Sequence, residues 1–85
     1  MRYLLIYDIS NDNVRTRVAD ACLDYGLERI QYSAFAGELN KVHQRELLLK
    51  IEQRIGKHNA SVQLFPLDEK CWSNRRVIEQ SEKEQ

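Results

Sequence analysis

The chain predicts an α+β fold in which two helices lie over one face of an antiparallel sheet. Three observations predict it. An apolar run from Tyr3 to Ile9, interrupted only by Asp8, has the length and composition of a strand. Two stretches with apolar residues at helical spacing, after Asn11 and after Asn40, stop at Gly26 and Gly56. Shorter β-rich segments fill the intervals, so the order is strand, helix, strand, strand, helix, strand.

The first strand runs into a Ser/Asn/Asp cluster at Ser10 to Asn13. Tyr3, Leu5 and Tyr7 face one side of it, and Leu4 and Ile6 the other. A strand apolar on both faces is covered on both. Asn11, Asp12 or Asn13 can cap the first helix, and Gly26 suits the position just past its end. Val14, Val18, Ala21, Cys22 and Tyr25 form the apolar stripe of that helix, with Leu23 pointing away. Arg15 and Arg17 flank the stripe, roughly 80° to either side of its centre.

Glu28 to Leu39 reads as a hairpin: a strand near Glu28 to Gln31, a tight turn at Tyr32-Ser33, then Ala34 to Leu39. Gly37 marks a bulge or a close backbone approach. Asn40 can cap the second helix, which runs to about Ile55 on a stripe of Leu47, Leu48, Ile51 and Ile55. Glu46, Lys50 and Arg54 are spaced as an i, i+4 ladder on a solvated face, and Val42 and Leu49 lie opposite the stripe. Ala60 to Leu67 is the last core strand, and Pro66 places its end at an edge or bulge. Arg75 to Ile78 is predicted as one more short strand, and Glu79 to Gln85 as a disordered polar tail.

This is the ferredoxin-like βαββαβ sandwich with an extra short C-terminal strand, one domain over residues 1–78. Two helices cover one face of the sheet. A second copy of the chain is the simplest cover for the other, so a homodimer packed through its sheets is expected.

Eighty-five residues make a single small domain, which gains from a partner because so short a chain buries little surface. Lysines and arginines number 13 and acids 13, so formal charge is zero. The final seven residues hold one lysine and three glutamates, which leaves a slightly basic body. Nucleic-acid binding would therefore use a local patch. Cys22 and Cys71 form no CxxC pair and are expected in apolar surroundings, consistent with a reducing cytoplasm. No run reaches transmembrane length and none reads as a signal peptide, so the expected location is cytoplasmic, away from membranes.

Asp8 is the acid inside the apolar strand. It can close the strand by accepting backbone hydrogen bonds in the turn, or it can ligate a hard cation. Magnesium is commonly held by one or two carboxylates plus substrate phosphate and water, and a two-fold axis could supply a second Asp8. Arg15 and Arg17 sit near the positive end of a helix dipole, an unfavourable place for a cation without an anionic ligand. Their alternative is a solvated flank, with Arg17 pairing to Asp20. Arg29 in the hairpin is a similar case. Phe35 is either core or a surface for base stacking beside arginines. His43 and His58 read as solvated, and Arg75-Arg76 as a basic spot that discourages edge aggregation. No nucleophile–base pair, glycine-rich phosphate loop or zinc spacing is present, so acyl transfer and nucleoside triphosphate hydrolysis have no support.

Taken in order, Tyr7-Asp8-Ile9, Arg15-x-Arg17, Tyr25-Gly26, Arg29-Ile30-Gln31-Tyr32-Ser33-Ala34-Phe35 and Phe65-Pro66-Leu67 resemble the CRISPR-associated protein 2 family. That family is the small dimeric subunit of the spacer-acquisition integrase. The resemblance implies a homodimer with Asp8 of each chain facing its mate, as catalytic residue and ligand to a shared Mg²⁺. It further implies that Arg15, Arg17, Arg29 and Phe35 bind nucleic acid. The function expected is binding of duplex DNA and bridging of the CRISPR-associated protein 1 integrase. Cleavage of RNA or DNA, single-stranded RNA included, is the alternative, and an interaction module unrelated to nucleic acid is the second alternative. Ala36 stands where many members carry glutamate.

Overall fold

The computed structural model describes residues 1–82. Four strands and three helices follow one another as β1 (Arg2–Ile9), α1 (Asp12–Asp24), β2 (Glu28–Gln31), β3 (Ala34–Glu38), α2 (Lys41–Ile55), β4 (Ala60–Leu67) and α3 (Glu69–Ser73). The sheet order is β2-β3-β1-β4, with antiparallel pairing throughout. This is the expected ferredoxin-like arrangement.

The caps explain where the helices start. Asn11 accepts from the Val14 amide at 3.0 Å, and Asn40 from the His43 amide at 2.7 Å. Gly26 follows the end of α1 with φ +83°, in the left-handed region open to glycine. Gly37 marks a close approach, since a Cβ there would lie 2.9 Å from Leu27 Cδ2. The irregularity in the hairpin falls instead between Arg29 and Gln31.

The core lies between the sheet and the helices. Leu5, Tyr7 and Ile9 of β1 and Phe35 of β3 meet Val14, Val18, Ala21 and Cys22 of α1 and Leu47 and Ile51 of α2. Residues paired across antiparallel strands share a face. The register therefore places Leu4, Ile6 and Asp8 with Ala36, Ala34, Phe65, Gln63 and Ser61 on the opposite side. Leu4 and Ile6 are only half-buried there, and Phe65 is 39% exposed.

Three expectations need correction. Residues 75–78 form no strand. A strand exists only by pairing with another, and the segment follows α3, which Asp68 caps by accepting from the Cys71 amide at 2.7 Å. Cys71 is exposed, whereas Cys22 is buried and burial pushes its thiol up to about 12. The Glu46, Lys50, Arg54 ladder does not form among the described residues: Glu46 accepts from the Tyr25 hydroxyl, Lys50 lies over the Tyr25 ring, and Arg54 reaches a carbonyl of α1. Of the predicted tail, residues 79–82 carry no helix or strand, and 83–85 lie outside the described residues. No helix among the described residues is long and apolar enough to cross a membrane.

Candidate nucleic-acid and metal site

Strand alternation puts Asp8 on the face away from the helices, one register step from the strand's end, opposite Ser61. It is exposed and makes no hydrogen bond or ion pair among the described residues. Closing the turn therefore falls to Asn11, not to Asp8. A carboxylate without internal partners is open to a cation, but one chain offers little else. The described residues hold no group of three His, Cys, Asp or Glu able to ligate a metal. Asp12, the nearest acid in sequence, is taken by Arg15. One carboxylate fits the sparse protein ligation typical of Mg²⁺, with the remaining oxygens coming from water, substrate or another chain.

Arg15 is spent largely on the protein. Its guanidinium donates to the carbonyl of Ile9 at 2.9 Å and that of Ser10 at 3.4 Å, and pairs with Asp12. The hydrogen bond it donates to the Asp12 carboxylate raises its already high pKa. Arg15 thus pins the loop on which β1 ends, just past Asp8. Arg17 turns the other way. It donates to the Arg54 carbonyl at 3.2 Å while Arg54 donates to the Arg17 carbonyl at 2.7 Å, clasping α1 to the end of α2. The anticipated Arg17–Asp20 pair does not form. Beside the clasp lies an open polar cleft of about 560 Å³, lined by Asn11, Asn13, Thr16, Arg17 and His58. The two arginines therefore serve separate surfaces, as their positions on either flank of the helix require.

Arg29 pairs with Phe35 across the hairpin, and its guanidinium lies 5.0 Å from the centre of the Phe35 ring. Phe35 itself is fully buried, with its ring 6.1 Å from that of Tyr7. No face of it is open to a base, which corrects its expected direct role: it supports Arg29 from beneath. The reason is register, because Phe35 stands opposite Leu5 on the helix side of the sheet. Sequence reasoning passed over Tyr32, which sits in the turn and is 68% exposed. Arg15 and Arg29 approach its ring to 5.5 and 5.9 Å. A large aromatic in a two-residue turn, where Gly, Asn and Asp are usual, was the available signal. The structure thus brings Arg15, Arg29 and Tyr32 together and holds Arg17 apart.

The family profile described as CRISPR associated protein Cas2 matches residues 1–75. The chain belongs to the Cas2 family. Among its relatives is the CRISPR-associated endoribonuclease Cas2 2 of Chloroflexus aurantiacus, 62% identical over 80 residues and covering 94% of each chain. A CRISPR-associated endonuclease Cas1/endonuclease Cas2 fusion from Thermoproteus tenax is 36% identical over 70 residues, covering 82% of this chain and 26% of that protein. The fold matches crystalline Streptococcus pyogenes Cas2 with a TM-score of 0.81 at 21% identity, over 93% of this chain and all of the other.

Proposed function

We propose that this Cas2 chain works in the cytoplasm in CRISPR spacer acquisition, as a homodimer that binds duplex DNA and bridges Cas1 integrase subunits. The sheet's second face carries the reading. Leu4 and Ile6 are half-covered, Phe65 is 39% exposed, and the same face ends in the unpartnered Asp8. A second copy laid there buries the apolar patch and completes a site with two carboxylates. The Cas1/Cas2 fusion of Thermoproteus tenax supports the choice of partner. Arg15, Arg17 and Arg29 from both chains make up to six phosphate contacts, which predicts about a thousandfold loss of affinity between roughly 50 and 200 mM salt. Light scattering should give a dimer, and immobilised chain should retain Cas1 together with DNA. A monomeric mass, or a salt slope near zero, would sink the proposal.

A second reading, Mg²⁺-dependent cleavage of RNA or DNA, is favoured by the Chloroflexus aurantiacus relative, which is named an endoribonuclease. The paired Asp8 carboxylates would hold the ion, and the arginines would fix the phosphodiester backbone across them. A Mg²⁺ ion bound there supplies Lewis-acid polarisation of a phosphoryl oxygen and a more acidic water. Asp8→Ala is expected to abolish cleavage and leave DNA binding in place. Cleavage that persists in this variant, or is absent from the wild type over a range of pH and Mg²⁺, rules the second reading out.

A further inference from the structure

The cleft between α1 and the β2–β3 turn contains more than backbone binding needs. Arg15, Arg29, Tyr32, Asp20 and Leu23 share the lining of a volume of about 200 Å³. Two of these are large apolar groups left in water, Tyr32 at 68% and Leu23 at 52% exposure. Keeping such surface wet forgoes the free energy of burying it. Two guanidiniums stand near one ring, and only Arg15 has a carboxylate partner among the described residues. Arg29 keeps its charge for an anion. Asp20, by contrast, repels phosphate from its own part of the rim. The cleft therefore sets positive charge beside an exposed aromatic ring, with the two guanidiniums 5.5 and 5.9 Å from the Tyr32 centroid and Leu23 adding apolar surface.

We propose that this cleft seats an unpaired nucleotide, with the Tyr32 ring stacked on the base, Leu23 against its edge and Arg29 on the neighbouring phosphate. The inference rests on the reading of this chain as a DNA-binding protein. It adds a preference for an exposed single-stranded end. Bases inside a duplex are covered by their neighbours, whereas a base in an overhang offers a free face to an aromatic side chain. Arg15 acts from the side, holding the β1 loop through the Ile9 carbonyl while its guanidinium reaches toward Tyr32.

The test compares a blunt fluorescent duplex with the same duplex bearing a short overhang, using full-length chain and its Tyr32→Ala and Tyr32→Phe variants. Wild type and Tyr32→Phe should favour the overhang about tenfold, the scale of one base–aromatic stack, and Tyr32→Ala should bring the ratio of the two affinities to about one. A 2-aminopurine placed in the overhang should be quenched by wild type and Tyr32→Phe, and not by Tyr32→Ala. Tyr32 is exposed, so each variant is expected to fold, and circular dichroism is the check. Equal affinity of the wild type for both duplexes, or a preference that survives in folded Tyr32→Ala, overturns the base pocket while duplex binding stands. Loss of binding to both DNAs in the wild type overturns the DNA-binding reading as well.

Discussion

The two ends of β1 carry opposite charges on the same face of the same strand, and the protein treats them differently. At the first end, Arg2 lies 3.9 Å from Glu38, 3.6 Å from Glu69 and 4.8 Å from the centre of the Trp72 ring. The terminal amino group adds a contact to Glu38 at 3.5 Å, and Arg75 stacks on Trp72 at 3.9 Å. Every partner belongs to the chain, and together they hold α3 against the sheet. At the other end, Asp8 has no such partner among the described residues. Arg15, the arginine fastened to the next carbonyl along the strand, binds backbone and Asp12. A charge that the fold uses up is structural, and one that the fold leaves alone is available for chemistry.

This contrast can be broken or sharpened by substitution, and the largest effect is expected between the two ends. Phe35→Ala should destabilise the chain by about 3 to 5 kcal/mol in denaturant unfolding, because it empties a fully buried aromatic site. Phe35→Leu should keep the fold and most of the nucleic-acid affinity. A large affinity loss in a well-folded Phe35→Leu would restore Phe35 as a contact residue.

Arg2→Ala comes next, at about 1 to 2 kcal/mol, combining a partly covered cation–π contact with two long ion pairs. Faster amide exchange confined to α3 is the signature to look for, and unchanged exchange would mean that Arg2 does not hold it. Acid should loosen the same helix. The hydrogen bond from the Cys71 amide holds Asp68 below its ordinary carboxylate pKa. The stabilisation is therefore present above the unfolded value and is lost as pH falls through the lowered folded value. An acid titration of Trp72 fluorescence checks this, and Asp68→Ala should remove the step.

The smallest stability effect is expected at Asp8. Asp8→Ala should shift unfolding by no more than about 0.5 kcal/mol, as for surface positions outside any network. A loss of several times that amount would mean that Asp8 serves the fold, and the contrast between the strand's ends would fail.

The four core strands and both long helices were legible because they rest on local rules: alternation, helical spacing and Gly at the end. So was the Asn40 cap, whereas the first cap stayed open among Asn11, Asp12 and Asn13. What depends on tertiary contact was not legible. Val77 and Ile78 have strand propensity, but propensity without a pairing edge makes no strand. Phe35 carried two readings in the sequence, and only its register opposite Leu5 decided between them. The surfaces of Arg15 and Arg17 were predicted as flanks of α1, yet nothing local indicated that both would donate to carbonyls. Tyr32 reads in the sequence as a turn residue, and only the folded positions of Arg15 and Arg29 show what surrounds its ring. The half-covered second face of β1 was legible from Leu4 and Ile6 alone.

The clasp between Arg17 and Arg54 has an electrical side. Each guanidinium is fastened by a neutral carbonyl, so the joint between α1 and α2 cancels no charge. Added salt, which loosens ion pairs, has little hold on such a joint. The positive charge of Arg17 consequently persists in the lining of the polar cleft that His58 shares. A protein with no net charge can in this way maintain a standing local potential, built into the geometry of its helix pair.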